Sequence, residues 1–144
     1  MSTGVHSYYS ISYDAARKLL AGILNDAAGD GGKPVAVAVV DDRGDLVAFG
    51  RLDGTPVRSV TIAINKAYTS SRTRQSTAAL AATLARANRG ADVYTDPRIT
   101  LFPGGTPLLT AQGTVVGAIG ISGRLPDEDD ALASRWNEHI SLEE

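Results

Sequence analysis

The segment 103–123, PGGTPLLTAQGTVVGAIGISG, limits what this chain can fold into more than any other stretch. Pro103-Gly104-Gly105 breaks the chain and leaves backbone amides with no side chains over them. Leu108 and Leu109 open a short apolar run, Gln112-Gly113 supplies a turn, and residues 114–122 follow as a strand. Side chains alternate along a strand. Val115, Gly117, Ile119 and Ile121 should therefore share one face, and Val116, Ala118, Gly120 and Ser122 the other. The second face is narrow, and glycines in a strand mark places where another group comes close to the backbone. A helix, a second subunit or a ligand meets that description, and a packed helix is the ordinary case.

The rest of the chain supplies elements to pack against this strand. Ser12 caps a helix starting near Tyr13, and Ala16, Leu19, Leu20, Ile23, Leu24 and Ala27 form one apolar stripe along it. Gly29, Gly31, Gly32 and Pro34 end it. Residues 35–40, VAVAVV, read as a central strand covered on both faces. Residues 41–45 form a hairpin connection with Gly44 at positive φ, and residues 46–52 return as its partner strand. Residues 59–72 and 76–88 are expected helices. The first should bury Val60, Ile64 and Ala67, the second Ala81 with Leu80 or Leu84. Residues 91–101 read as loop and a short extended piece. Pro126 and the acids at 127–130 start a last helix, with Leu132, Trp136 and Ile140 on its apolar side. This order predicts one α+β domain over residues 1–144, an antiparallel sheet with helices packed against it.

Composition excludes several functions. The chain has 144 residues, long enough for a real core. It has no cysteine, so disulfides, thiolate metal sites and thiol nucleophiles are ruled out. Its net charge of −2 argues against a nucleic-acid partner. The N-terminus has no signal-peptide pattern and no apolar run is long enough for a bilayer, so the expected location is the cytoplasm, away from membranes. Only two histidines are present, His6 and His139, which removes any metal site built on several imidazoles. For haem iron the possible ligands reduce to these two, Met1 or a tyrosine. Asp127, Glu128, Asp129 and Asp130 are explained by the helix dipole more simply than by a cation site.

What remains is a pocket of polar residues near glycine turns. Between Lys66 and Arg98 six basic residues face two carboxylates, a charge balance suited to an anionic ligand or an acidic partner surface. Arg51 and Asp53 leave the second strand together, while Lys66, Tyr68 and Arg72 lie on one helix. Amides in a glycine turn hold oxyanions, so Gly104 and Gly105, closed over by Phe102, are the expected donors. Arg51 or Arg72 would clamp the anion, and Lys66 would act as electrophile or base. A local Arg51–Asp53 ion pair and an exposed Lys66 are the structural alternatives.

Three blocks in order, VAVAVVDDRGDLVAFGRLDGTP, INKAYTSSRTRQST and FPGGTPLLTAQGTVVGAIGISGRLPDEDDALA, resemble the HbpS/GlcG-like family of haem-degrading proteins. The resemblance spans about residues 35–133 and implies a profilin-like sandwich with about five strands, assembled into dimers or higher homo-oligomers. The family includes haem-binding and haem-degrading proteins, a glycolate-operon protein, and a domain fused to corrinoid adenosyltransferases. Many relatives carry His or Asn where this chain has Asp45, a hard anionic group ill suited to haem iron but available to a ligand. The expected function is therefore a small-molecule-binding protein or cofactor-free enzyme of lyase, isomerase or hydrolase type. Its ligand would be an anionic or aromatic organic molecule held near the PGG loop between subunits. A haem-binding or haem-degrading protein is the alternative, and a ligand-free structural oligomer the third.

Overall fold

The computed structural model describes residues 3–144, apart from the side chain of His139. Helix α1 spans Tyr13–Gly29, and the Ser12 hydroxyl accepts the Ala15 N–H at 3.1 Å, as a capping serine should. Strands β1 (Ala36–Asp41) and β2 (Leu46–Arg51) form the expected hairpin, with Gly44 at φ +93°. Helices α2 (Ser59–Thr73) and α3 (Thr77–Arg86) follow, then a 3-10 turn over Ala91–Tyr94. Strands β3 (Gly105–Leu109) and β4 (Val115–Ser122) and helix α4 (Pro126–His139) complete the chain.

The sheet has four strands in the order β2-β1-β4-β3, every neighbouring pair antiparallel. The class is the expected α+β sandwich, with four strands where about five were expected. Beyond β3, Thr110 makes only a single parallel bridge to Leu142. Helices α1 and α4 cover one face, burying Ala16, Leu19, Ile23 and Leu132 against Val37, Val39, Ile119 and Ile121. Each of the Leu, Ile and Val side chains contributes about 1.5–3 kcal/mol on full burial.

Helix α2 covers the other face. An added Cβ on Gly120 would collide with the Ala63 carbonyl oxygen and lie 2.5 Å from the Ala67 nitrogen. The narrow side of β4 is thus a bed for α2, which settles the helix, subunit or ligand alternative at this face. The close approach selects Ala63 and Ala67 as the buried stripe, together with Ala36, Ala38, Val40 and Ala118. Val60 and Ile64 are only half-buried, contrary to expectation, because side chains of their size do not fit where backbones nearly touch. Helix α3 packs outside α2, with Leu80 and Leu84 against Tyr68 and Ile99.

Strict alternation along β4 also fails. Val116 joins Ile119 and Ile121 in the α1-side core. The β3–β4 register slips between Leu108 and Leu109, leaving Val116 as an extra residue, and such a bulge shifts side-chain parity. A matching slip between Val39 and Val40 leaves Val47 extra on β2.

Candidate functional site

Lysine rarely tolerates burial, yet Lys66 is 2% exposed. It lies on the inner side of α2, one turn beyond Ala63, and its Nζ donates to the Ile121 carbonyl at 2.8 Å. Asp129, also 2% exposed, places Oδ2 3.3 Å from the same nitrogen. Asp129 follows on α4 from Pro126 at the helix start, and its Oδ1 accepts the Arg124 N–H at 3.1 Å. Burial pushes the Lys66 ammonium pKa down and the Asp129 carboxyl pKa up, each opposed by the charge of the other. Both shifts favour the neutral forms of the pair.

These two side chains floor a cavity of about 280 Å³. Its walls come from two helix starts. Arg58, Ser59 and Ile62 belong to the entry and first turn of α2, and Leu125 and Pro126 to that of α4. Helix α2 has no side-chain cap and no acid in its first turn. The Ser59 N–H is taken by the Pro56 carbonyl at 2.9 Å, but the other first-turn N–H groups and the positive end of the dipole favour an anion there. Helix α4 is partly satisfied, since the Glu128 carboxylate accepts the Leu125 N–H at 3.1 Å. Arg58 is exposed and makes no side-chain hydrogen bond or ion pair among the described residues. Arg124 also lines the cavity, but its guanidinium is engaged by Asp30, by the Lys33 carbonyl at 2.7 Å and by the Ala27 carbonyl at 3.2 Å. Phe102, 58% exposed, stands at the rim.

The expected site residues separate into four places. Lys66 and Phe102 meet in this cavity, with Gly104 behind them. An added Cβ on Gly104 would lie 2.6 Å from the Ile121 oxygen and 2.8 Å from Lys66 Nζ. The loop is therefore closed by the protein's own atoms rather than open. Gly105 is not a free oxyanion donor, because its N–H goes to Thr77 Oγ1 at 3.0 Å. Arg51 and Asp53 are exposed at the far end of β2 and are absent from the cavity lining. Arg51 pairs with Ala36, which pairs in turn with Ser122 at the cavity, so two strand spacings, about 10 Å in all, intervene. They form no ion pair with each other among the described residues. Tyr68 is 4% exposed and its hydroxyl donates to Asp96, while Arg72 Nε donates to the Arg43 carbonyl at 2.6 Å. Asp45 is exposed in the hairpin, its N–H on Asp41 Oδ1 at 3.0 Å.

Sequence reasoning missed Asp129, Arg58 and the α2 start. The signal for Asp129 was its position: with Leu132, Ala133 and Trp136 it falls at i, i+3, i+4 and i+7, on the apolar side of α4. An acid on that stripe calls for a buried cation. Among the described residues no group of three or more His, Cys, Asp or Glu is placed to hold a metal ion, and no helix is long and apolar enough to cross a membrane.

Known proteins share this architecture. A solved structure of Streptomyces reticuli HbpS, a double mutant, aligns with a TM-score of 0.84 at 30% identity, over 99% of this chain and 96% of that one. The PduOC:heme complex shares the fold, with a TM-score of 0.77 at 23% identity over 91% of this chain and 95% of that one. An uncharacterized 15.0 kDa protein of the dhaT-dhaS intergenic region of Citrobacter freundii is 35% identical over 124 residues, 83% of this chain and 84% of its own length. A family model described as haem degrading protein HbpS-like matches residues 11–136, and the chain belongs to that HbpS-like family.

Proposed function

We propose that this protein binds a small organic anion in the cavity above Lys66 and Asp129. The observation that carries the reading is the convergence of the uncapped α2 start and the unpaired Arg58 on a cavity floored by a buried lysine. A carboxylate fits at the helix start, where backbone N–H groups and the dipole attract it, with Arg58 as the bidentate clamp. The clamp role expected of Arg51 or Arg72 thus passes to Arg58. The rest of the ligand extends over Lys66. Burial lowers the pKa of that amine, which suits it to act as a base or electrophile toward a bound carbon acid or carbonyl. Phe102 and Leu125, which line the cavity, are 58% and 69% exposed, and a second copy of the chain covering them is part of this reading.

The test is calorimetric titration with a panel of small aliphatic and aromatic carboxylates. Arg58→Ala should weaken any bound member at least about tenfold, the scale of one lost charge-assisted contact. A panel with no bound member, or affinities untouched by Arg58→Ala, would sink the reading.

Haem is the group that the family description implies. Its iron takes imidazole, thiolate, thioether or phenolate ligands, and none of these lines the Lys66 cavity. The cavity does not fit haem iron. A second reading has haem at the surface through His6, which stacks on Tyr8 with ring centroids 4.9 Å apart. Of the other expected ligands, Met1 and the His139 side chain lie outside the described residues, and the tyrosines Tyr8, Tyr9, Tyr13 and Tyr94 are exposed. A Soret shift on adding haemin that disappears in His6→Ala would favour this second reading, and no shift would remove it.

A further inference from the structure

The opposite end of α2 carries a second concentration of charge that the Lys66 cavity does not use. Arg43 on the β1–β2 hairpin, Arg72 in the last turn of α2 and Arg74 at its C-cap line one cavity of about 340 Å³ with Tyr8 and Asp42. None of the three arginines makes a direct ion pair among the described residues, and only Arg72 interacts at longer range with a carboxylate outside the cavity, that of Asp96. Asp42 is the one acid lining the cavity, so two positive charges are left over.

The ordinary explanation for basic residues at a helix C-terminus is the dipole. It does not account for this arrangement. Arg72 Nε reaches away from its helix to the Arg43 carbonyl at 2.6 Å, and Arg74 Nη1 approaches the Val115 carbonyl on β4 at 3.5 Å. Arg43 belongs to no helix. Arg74 also has φ +61°, a left-handed conformation that glycine or asparagine adopts more cheaply at this position. A side chain with no use there would be an uneconomical choice.

Two of the three guanidiniums lie over aromatic rings. Arg43 Cζ lies 4.3 Å from the Tyr8 ring centroid, and Arg72 Cζ 4.9 Å from that of Tyr68. A ring contact of this kind leaves N–H donors for a bidentate acceptor, on Arg72 the two terminal nitrogens because its Nε is taken by the Arg43 carbonyl. Preorganised arginine forks with surplus positive charge match a tetrahedral, doubly charged oxyanion.

We propose that Arg43, Arg72 and Arg74 form a binding site for a phosphorylated small molecule, separate from the Lys66 cavity. The probe is pyrophosphate, followed by isothermal calorimetry at low and moderate salt, with succinate as a dicarboxylate control. Pyrophosphate should bind more tightly than succinate and weaken as salt rises. Arg43→Gln and Arg74→Gly should each reduce its affinity about tenfold or more, as loss of one charge-assisted contact does. Arg74→Gly should meanwhile keep or raise the melting temperature, which separates lost binding from lost folding. Arg89→Gln, an exposed arginine that lines neither cavity, should leave pyrophosphate affinity within about twofold. Absence of binding, wild-type affinity in both arginine variants, tighter binding of succinate, or loss of binding in Arg89→Gln would each overturn the proposal.

Discussion

Lys66 Nζ and Asp129 Oδ2 lie 3.3 Å apart, on side chains that are 3% and 2% exposed. The pair joins the middle of α2 to the first turn of α4 across the end of β4. Removing one partner strands the other charge in a medium that solvates it poorly. Lys66→Met should therefore cost about 3–5 kcal/mol in urea unfolding, and Lys66→Met with Asp129→Leu should recover much of it. A double variant no more stable than the single would show that the pair does not act as a unit.

The Arg124–Asp30 ion pair predicts an acid-dependent loss of stability. Arg124 holds the Asp30 carboxyl at about 2, below the ordinary 3.8, through two contacts of 2.7 Å. A depressed folded-state pKa means that the unfolded chain takes up the proton first. The contribution is thus complete above the unfolded value and fades as pH falls toward 2. Wild type should exceed Asp30→Asn in unfolding free energy near pH 6, and the gap should close between about pH 4 and pH 2. A gap constant across that range would contradict the assignment.

Two glycines should respond in opposite directions to the same methyl group. Gly120→Ala drives a Cβ into the Ala63 carbonyl and should destabilise by about 1–3 kcal/mol or more. Gly29, the last residue of α1, has open space around it, and Gly29→Ala should stabilise by about 0.5 kcal/mol through helix propensity. Paired thermal melts check both.

The buried Ser70 hydroxyl has no hydrogen-bond partner among the described residues. Ser70→Ala removes a desolvated polar atom and leaves no partner orphaned. The variant should be neutral or more stable by up to about 1 kcal/mol. A clear loss of stability would reveal a bond that the geometry does not contain.

How much of this was legible depended on whether the cause was local. The Ser12 cap, the α1 stripe, the Gly44 turn and Pro126 at the start of α4 are each decided within a few residues, and each reads directly. The family blocks carried the sandwich architecture, although the strand count was one too high. The site was less readable because its parts are distant in the chain: Lys66 and Asp129 are 63 residues apart. A lysine in a basic stretch looks solvated until the helix bearing it is known to press on a glycine-lined strand. That contact also put Ala63 beside the expected Ala67 in the buried stripe of α2, in place of Val60 and Ile64. The glycine loop misled for a related reason. Gly104 and Gly105 are small because Lys66, Ile121 and Ser70 crowd them, and crowding and ligand access select the same residue.

The two register slips in the sheet fall on either side of β1 near the same end, where the hairpin bearing Arg43 turns. At the other end Ala36, Ser122 and Gly105 sit in unbroken ladders beside the lysine cavity. The sheet is mechanically uneven as a result. Backbone amides around Val47 and Val116 should exchange with deuterium well before those of Val37 and Gly120, so the hairpin end can adjust to an occupant while the lysine end stays rigid.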